Sequence, residues 1–267
     1  MKAAQQLQKA FETIPLLCGL QPSDFRISEL RGYTNWNFRL QDKQRDWVLR
    51  IPRPETNRFI NREAEAHNQT LVGGIGLAPA CLWRDRDGMT MTTTLAAARE
   101  LQASDFGNDA IFDLVAGRLW QLHNSRLEFE GLLHIGVEIE RYYALLSATM
   151  QKSLAADYQR GQRLLSNLEL QDSPVCPSHS DPVLENLLLE KGGLWLIDWE
   201  YSAMASPYWD LATLANAAAL NTQQCSRLLQ SYCAAGATLE ESTLHNYRQL
   251  LQLLSDCWMA VFANRDQ

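Results

Sequence analysis

The feature that most constrains the fold is a change in the spacing of apolar residues, about a third of the way along the 267-residue chain. Before it, short runs with strand-like alternation are separated by polar turns, at 25–30, 36–40 and 47–51. After it, apolar residues recur mostly at helical intervals, as they do over 111–122. The pattern predicts an α+β fold with two lobes, a small β-rich N-lobe over residues 1–94 and a larger, mainly helical C-lobe over residues 95–267.

Further elements are predicted within both parts. In the first part, a helix from about residue 58 to 71 ends at Gly73-Gly74, and strands follow near 80–83 and 89–93. A short amphipathic helix is predicted within 1–20, and further helical patterns cover 137–168, 210–233 and 240–263. One β-hairpin interrupts the helical part, with strands at 187–189 and 194–197 around the turn Lys191-Gly192-Gly193.

Composition excludes several classes of protein. Apolar residues make up 46% and charged residues 21%, which excludes disordered and fibrous chains. The 24 basic and 31 acidic residues give a net charge of −7 without a basic stripe, so nucleic acid is not an expected partner. No stretch approaches the ~20 apolar residues of a membrane span, and the Gln-rich start lacks the apolar segment of a signal peptide. The chain is therefore predicted to be cytoplasmic, without a membrane partner.

One segment carries the pattern of a phosphoryl-transfer site. It begins at His179-Ser180-Asp181, reaches Asn186, continues through the hairpin and ends at Ile197-Asp198-Trp199-Glu200. Phosphoryl transfer needs a carboxylate that orients the acceptor hydroxyl, which suits Asp181. It also needs oxygen ligands for Mg²⁺, which suits Asn186 and Asp198. Each residue alone is better explained by a structural role, such as a core histidine or a turn-opening Asp-Pro, but the ordered set favours catalysis.

The order and spacing of these residues resemble a known superfamily. His-x-Asp, four intervening residues, Asn, a hairpin and an apolar-Asp pair resemble the catalytic and metal-binding loops of kinases. With Ile-Asp-Trp-Glu-Tyr at 197–201, the chain resembles the choline/ethanolamine kinase, thiamine kinase and aminoglycoside phosphotransferase superfamily, especially its bacterial choline- and thiamine-kinase-like branch. The resemblance implies a protein-kinase-like fold, ATP and Mg²⁺ as cofactors, and catalytic roles for Asp181 and His179.

The first part contains three shorter resemblances. The stretch 31–40 resembles the phosphate loop of choline-kinase-like enzymes, which implies nucleotide contacts from Thr34, Asn35 and Asn37. Arg50 stands where most kinases have a phosphate-positioning lysine, and the Asn-Arg-x-x-Glu pattern implies that Glu65 is its partner. An ordinary hairpin, a surface arginine and a solvated helix face are the alternatives.

The second part supplies candidates around the acceptor. Asp210 is predicted to be a helix N-cap with a structural role near the site, and His123 to be a helix-end or packing residue. Aromatic rings beside a carboxylate suit a cationic substrate. Core packing is an equally good interpretation of each aromatic. The candidates for substrate binding are Trp199, Glu200, Tyr201, Tyr208, Trp209 and Trp258.

The combined pattern predicts an ATP-dependent kinase for the hydroxyl group of a small, cationic alcohol such as choline, ethanolamine or thiamine. One alternative is an aminoglycoside or sugar phosphotransferase, which would need a wide, acidic pocket. The other is a non-catalytic, nucleotide-binding pseudokinase, which the presence of Asp181, Asn186 and Asp198 disfavours. A small-molecule alcohol is the one partner predicted, and nothing in the pattern indicates an oligomeric state.

Overall fold

The computed structural model describes residues 3–32, 34–57, 59–168, 174–191, 193–234 and 236–263. The chain forms two compact units, Met1–Arg99 with Leu188–Tyr201, and Glu100–Leu187 with Ser202–Gln267. The first contains most of the strands and the second most of the helices, which confirms the predicted α+β class and the order of its parts. The division differs from a boundary at residue 94 because the segment that carries Asp198 and Glu200 packs with the first unit.

The described residues contain the following elements. The helices are Ala3–Thr13 (α1), Pro54–Asn57 (α2), Arg62–Gly74 (α3), Asp109–His123 (α4), Ile135–Ala144 (α5), Ala148–Leu168 (α6), Pro207–Ala217 (α7), Thr222–Cys233 (α8) and Glu241–Ala263 (α9). The strands are Arg26–Leu30 (β1), Asn35–Gln41 (β2), Asp46–Pro52 (β3), Cys81–Arg84 (β4), Thr90–Thr93 (β5), Arg99–Glu100 (β6), Cys176–Ser178 (β7), Leu187–Glu190 (β8), Gly193–Leu196 (β9) and Ala203–Ala205 (β10).

An antiparallel sheet of order β1-β2-β3-β5-β4 forms the centre of the first unit, as far as the described residues show. Because side chains alternate across a strand, Phe38 and Leu40 of β2 bury one face together with Leu49 and Ile51 of β3. The register places Asn37 opposite Arg50. The sheet therefore sets two of the predicted nucleotide-binding residues side by side.

Helix α3 brings charged side chains to this sheet. It begins at Arg62, after the N-cap Asn61, whose side chain accepts a hydrogen bond from the backbone of Ala64. Arg58, the predicted start, lies outside the described residues. The three-residue spacing puts Arg62 and Glu65 on one face of the helix.

The predicted hairpin is present as β8 and β9. The backbone N–H of Leu196 donates to the carbonyl of Leu77 at 2.9 Å, which fixes β9 within the first unit. Gly192, in the predicted turn, lies outside the described residues. The chain leaves β9 directly into the segment with Asp198.

Two predicted long helices are each divided. The pattern over 137–168 forms α5 and α6, and the pattern over 210–233 forms α7 and α8. Between α7 and α8, Ala219 has a φ of 50°, and Asn221 with Gln224 forms a capping box that starts α8. The helical spacing of apolar residues continues across the break, but local capping ends one helix and starts another.

The predicted N-cap role of Asp210 is wrong. Helix α7 begins at Pro207 after the N-cap Ser206, whose hydroxyl accepts from the backbone of Tyr208. Proline at the first helical position, preceded by serine, is the stronger start signal. Asp210 therefore lies one turn inside the helix, where its carboxylate is completely buried.

Within the described residues, no helix combines the length and apolar character needed to cross a membrane. All six cysteines lie in the described ranges and are free thiols, two of them buried.

Candidate active site

Many of the predicted site residues fall into two polar groups, one in each unit, together with neighbours that the sequence did not single out. The group in the first unit, called here the ionic group, consists of Asn35, Arg50, Arg62, Glu65, Asp198 and Glu200. The group in the second unit, called here the loop group, consists of His123, His179, Ser180, Asp181, Asn186, Trp209, Asp210 and Tyr232.

Arg50 lies at the centre of the ionic group. Its Nη1 donates to Oδ1 of Asp198 at 3.0 Å, and its Nη2 donates to the carboxylate of Glu65. Nη2 also reaches the carbonyl of Gly88 at 3.3 Å. The guanidinium from β3 thus joins α3 to the segment after β9.

A second arginine, which the sequence analysis did not single out, completes the network. Nη1 of Arg62 donates to Oε2 of Glu65 at 2.6 Å and lies 3.4 Å from Oε2 of Glu200. Gly88 makes room for it, because a Cβ there would come within 2.5 Å of the Arg62 side chain and the φ is 88°. The Arg that stands in the Asn-Arg-x-x-Glu pattern was the available signal.

Glu200 is a link within the ionic group. Its Oε2 accepts from Nδ2 of Asn35 at 3.0 Å, and the same amide nitrogen donates to the hydroxyl of Thr34 at 3.0 Å. Only 6% of Glu200 is exposed. The start of β2 is therefore tied to α3 through this carboxylate.

The charges of the group are not balanced. Two guanidinium groups face three carboxylates, and burial makes any unpaired charge costly. Burial lowers the pKa of Arg50, but Glu65, Asp198 and Glu200 hold that pKa above its usual value. Burial raises the pKa of Glu65, but Arg50 and Arg62 hold it below the usual range. Burial and the neighbouring Asp198 raise the pKa of Glu200 to about 7.

Asp198 has an unusual backbone. Its φ is 63°, in the left-handed region, and its side chain keeps 30% exposure while Oδ1 accepts from Arg50. Such conformations cost roughly 1–3 kcal/mol and cluster at functional sites. Burial raises the pKa of its carboxyl against the opposing effect of Arg50, with Glu65 adding to the rise.

The loop before β2 depends on close packing around Gly32. A Cβ at Gly32 would lie 2.5 Å from Nδ2 of Asn37 and 2.6 Å from the carbonyl oxygen of Asn35. Nδ2 of Asn37 donates to the carbonyl of Arg31 at 2.9 Å. Tyr33 lies outside the described residues. The nucleotide contacts expected of Thr34, Asn35 and Asn37 remain predictions.

In the loop group, Asp181 and Asn186 are in direct contact. Nδ2 of Asn186 donates to the backbone oxygen of Asp181 at 2.9 Å and to its Oδ2 at 3.2 Å. A 3-10 turn at Leu184–Asn186 brings the two side chains together. Both contacts use the amide nitrogen of Asn186, and its amide oxygen is the atom that the predicted Mg²⁺ site requires; that role remains a prediction.

Asp210 anchors the backbone that precedes Asp181. Its Oδ2 accepts from the backbone N–H of His179 at 2.8 Å, and its Oδ1 accepts from that of Ser180 at 2.7 Å. Nε1 of Trp209 donates to the carbonyl of Ser180 at 2.9 Å. Ser180 has a φ of 68°, so this anchoring stabilises a strained conformation beside the predicted base.

His179 and His123 both contact Asp210, His179 through its backbone and His123 through its ring. His179 is completely buried, and its Nδ1 accepts from the backbone N–H of Asp181 at 3.3 Å. Nε2 of His123 lies 3.0 Å from Oδ2 of Asp210, and its Nδ1 lies 2.7 Å from the hydroxyl of Tyr232. His123 does end α4, as the sequence indicated, but its contact with Tyr232 had no local signal.

Four of the six predicted substrate-binding residues are buried. Trp199 donates to the carbonyl of Leu196 within the first unit, and the hydroxyl of Tyr208 accepts from the backbone of Glu240. Glu200 and Trp209 make the contacts given above. Tyr201 and Trp258 are partly exposed. Contact with an acceptor remains a prediction for all six.

Comparisons with known proteins support the motif-based resemblance. The sequence profile of the phosphotransferase enzyme family matches residues 26–250. Protein LicA of Haemophilus influenzae is 32% identical over 216 residues, which are 78% of this chain and 62% of that protein, so the chain spans less than two thirds of its relative.

Two solved structures have similar folds. A choline/ethanolamine kinase family protein from Mesorhizobium loti superposes with a TM-score of 0.83 at 25% identity, over 99% of this chain and 87% of that one. Choline kinase LicA from Streptococcus pneumoniae superposes with a TM-score of 0.85 at 24% identity, over 98% of this chain and 92% of that one.

Proposed function

Because the chain belongs to the phosphotransferase enzyme family, we propose that it is a kinase that transfers the γ-phosphoryl group of ATP to the hydroxyl group of choline. The family match confirms the predicted superfamily and the phosphotransferase class, and the similar structures confirm the kinase-like fold. The nucleotide, the acceptor and the role of each residue belong to the proposal.

The observation that carries the proposal is the Asp181–Asn186 pair on a loop anchored by Asp210. The Asp181 carboxylate accepts the proton of the acceptor hydroxyl. At the same time the hydroxyl oxygen bonds to the γ-phosphorus, and the bond between that phosphorus and the leaving ADP breaks. Such chemistry depends on positioning and on electrostatic stabilisation. The buried anchoring contacts supply that positioning, and His179 contributes by holding the Asp181 backbone.

The ionic group is assigned to the nucleotide. Arg50 binds the phosphates, and Glu65 orients the Arg50 side chain. The loop with Thr34, Asn35 and Asn37 lies along the phosphates. The amide oxygen of Asn186 and the carboxylate of Asp198 fit a hard, oxygen-preferring cation, and the excess of carboxylates in the ionic group fits a positive charge. Mg²⁺ held there would neutralise the charge of the triphosphate.

Choline is the preferred acceptor because one similar structure is of a choline kinase and the other of a choline/ethanolamine kinase family protein, and ethanolamine is the nearest alternative. Tyr201 and Trp258, which keep exposed surface, are the aromatic candidates for contact with a quaternary ammonium group. A cytoplasmic location, and the absence of nucleic-acid and membrane partners, remain predictions.

The test is an ADP-release assay with ATP, Mg²⁺ and separate acceptors, namely choline, ethanolamine, thiamine and kanamycin, followed by ³¹P NMR of the product. We expect turnover with choline, and phosphocholine as product. Asp181→Asn serves as the control for contaminating kinases. Turnover with kanamycin alone would favour an antibiotic phosphotransferase. Tight ATP binding without transfer to any acceptor would favour a pseudokinase.

A further inference from the structure

The side chain of Tyr232 extends the anchoring of the catalytic loop by two steps. It projects from α8, and its hydroxyl lies 2.7 Å from Nδ1 of His123, whose Nε2 lies 3.0 Å from Oδ2 of Asp210. The exposed fractions of Tyr232, His123 and Asp210 are 2%, 6% and 0%. Water is therefore kept from this chain of contacts, and each polar group depends on its protein partner.

The direction of each hydrogen bond follows from the groups involved. A carboxylate only accepts, so Nε2 of His123 carries the hydrogen that faces Asp210. In the neutral ring, Nδ1 is then an acceptor, and the hydroxyl of Tyr232 donates to it. Burial raises the pKa of the Tyr232 phenol, with Cys176 and Asp210 adding to the rise, so the hydroxyl keeps its hydrogen.

Three hydrogen bonds fix the orientation of the Asp210 carboxylate. Oδ2 accepts from both His123 and the backbone of His179, while Oδ1 accepts from the backbone of Ser180. If the His123 ring changed its tautomer, an Nε2 lone pair would face Oδ2 and repel it. The Asp210 carboxylate would shift, and the backbone hydrogen bonds beside Asp181 would lengthen.

We propose that Tyr232 is a positioning residue for the phosphotransfer reaction, which acts through His123 and Asp210 to hold the loop that carries Asp181. The proposal deepens the proposed function and rests on it for the effect on turnover. Its structural part, the control of the His123 tautomer and of loop stability, holds whichever acceptor the enzyme uses.

The test compares Tyr232→Phe with Tyr143→Phe. Tyr143 is a matched control in the same unit, since its hydroxyl donates one hydrogen bond, to the carbonyl of Gln151 at 2.8 Å, outside the loop group. We expect Tyr232→Phe to lower kcat about tenfold, a change of ~1.4 kcal/mol in the barrier, with KM for ATP and choline within about twofold of wild type. Tyr143→Phe should leave both constants unchanged.

Two further measurements separate positioning from general destabilisation. In a His123→Asn background, Tyr232→Phe should have no further effect on kcat, because its route to the loop is already cut; an additive loss would overturn the proposal. Hydrogen exchange at the amides of His179 and Ser180 should accelerate about tenfold or more in Tyr232→Phe but not in Tyr143→Phe.

The exchange experiment and ¹⁵N NMR of the His123 ring need no catalytic turnover. If the wild type phosphorylates none of the acceptors, the proposed function fails, while these readouts still decide the positioning role. Unchanged exchange together with an unchanged His123 tautomer in Tyr232→Phe would refute that role even in an active enzyme.

Discussion

The two polar groups of the molecule are held together by different forces. In the ionic group, two arginines and three carboxylates fix one another, and the geometry follows the balance of charge. In the loop group, one carboxylate, that of Asp210, gathers backbone N–H groups and an imidazole, and the geometry follows hydrogen-bond direction.

This difference determines which substitutions each group tolerates. Removing one charge from the ionic group leaves a buried partner uncompensated, even when the shape is kept. Removing one hydrogen-bonding atom from the loop group leaves the charge unchanged but frees a ring or a backbone segment to turn. Substitutions that keep shape and alter only charge or hydrogen bonding therefore distinguish the two groups.

The largest effect is expected in the loop group. Asp181→Asn keeps the shape of the side chain but removes the proton acceptor, and general-base catalysis contributes roughly 10²–10⁴-fold. We expect kcat to fall by that order, while isothermal titration shows an unchanged affinity for Mg-ATP. An equal loss of turnover and of nucleotide affinity would contradict the role of base.

The next effect is expected at Asp198, the proposed metal ligand of the ionic group. Asp198→Ala should weaken Mg-ATP binding at least about tenfold, since the proposed oxygen ligand and one partner of Arg50 are lost together. Titration with a non-hydrolysable ATP analogue, with and without Mg²⁺, measures it. If the affinity is unchanged in the presence of Mg²⁺, Asp198 is not a ligand.

Glu65→Gln should mainly lower the free energy of unfolding, with little effect on the loop group. Both Arg50 and Arg62 bind this carboxylate, and breaking a buried pair costs roughly 3–5 kcal/mol. Urea unfolding should show most of this loss. Glu63→Gln, an exposed position two residues earlier on the same helix, is the control and should change stability by less than ~0.5 kcal/mol.

Glu200→Gln separates the two roles considered for Glu200. If it links Asn35 to Arg62, KM for ATP should rise several-fold, by about 1 kcal/mol for a weakened charge-assisted contact, with KM for choline unchanged. If the carboxylate instead binds the acceptor cation, KM for choline should rise and KM for ATP should not. Steady-state kinetics with each substrate varied in turn decides between them.

The smallest effect is expected for the partly exposed pair Arg39–Asp46, which contrasts with the more deeply buried ionic group. The hydrogen bond from Arg39 holds the pKa of Asp46 below its usual value, despite partial burial. The pair therefore stabilises the fold above the usual carboxyl pKa and loses this contribution as the pH falls through the lowered value. Asp46→Asn should cost about 0.5–1 kcal/mol at pH 7, with unchanged turnover. A deficit that grows as the pH is lowered towards 4 would contradict the sign.

The elements that sequence predicted best are those with strong local signals. Short stretches of sequence are enough to show three features: the alternation of β1, β2 and β3, the hairpin, and the spacing from His179 to Asp198. The start of α7 also has a local signal, because Ser206-Pro207 is a better cap signal than Asp210.

Other features depend on contacts between distant residues. Tyr232 meets His123 across 109 positions, and Arg62 meets Glu200 across 138. No local pattern distinguishes Tyr232 from other buried tyrosines, and the Asn-Arg-x-x-Glu pattern marks Arg62 without indicating its contact with Glu200. The break between α7 and α8 has neither glycine nor proline, so a positive φ at Ala219 could not be anticipated.

Left-handed backbone at Ser180 and Asp198 has a consequence for how chains of this kind can diverge. β-Branched residues are excluded at both positions, whereas asparagine and glycine fit the backbone. At position 180, glycine should relieve strain without removing any group assigned to chemistry. At position 198, glycine would relieve the same strain but remove the carboxylate. Selection for stability would therefore favour glycine there, whereas selection for turnover would favour aspartate.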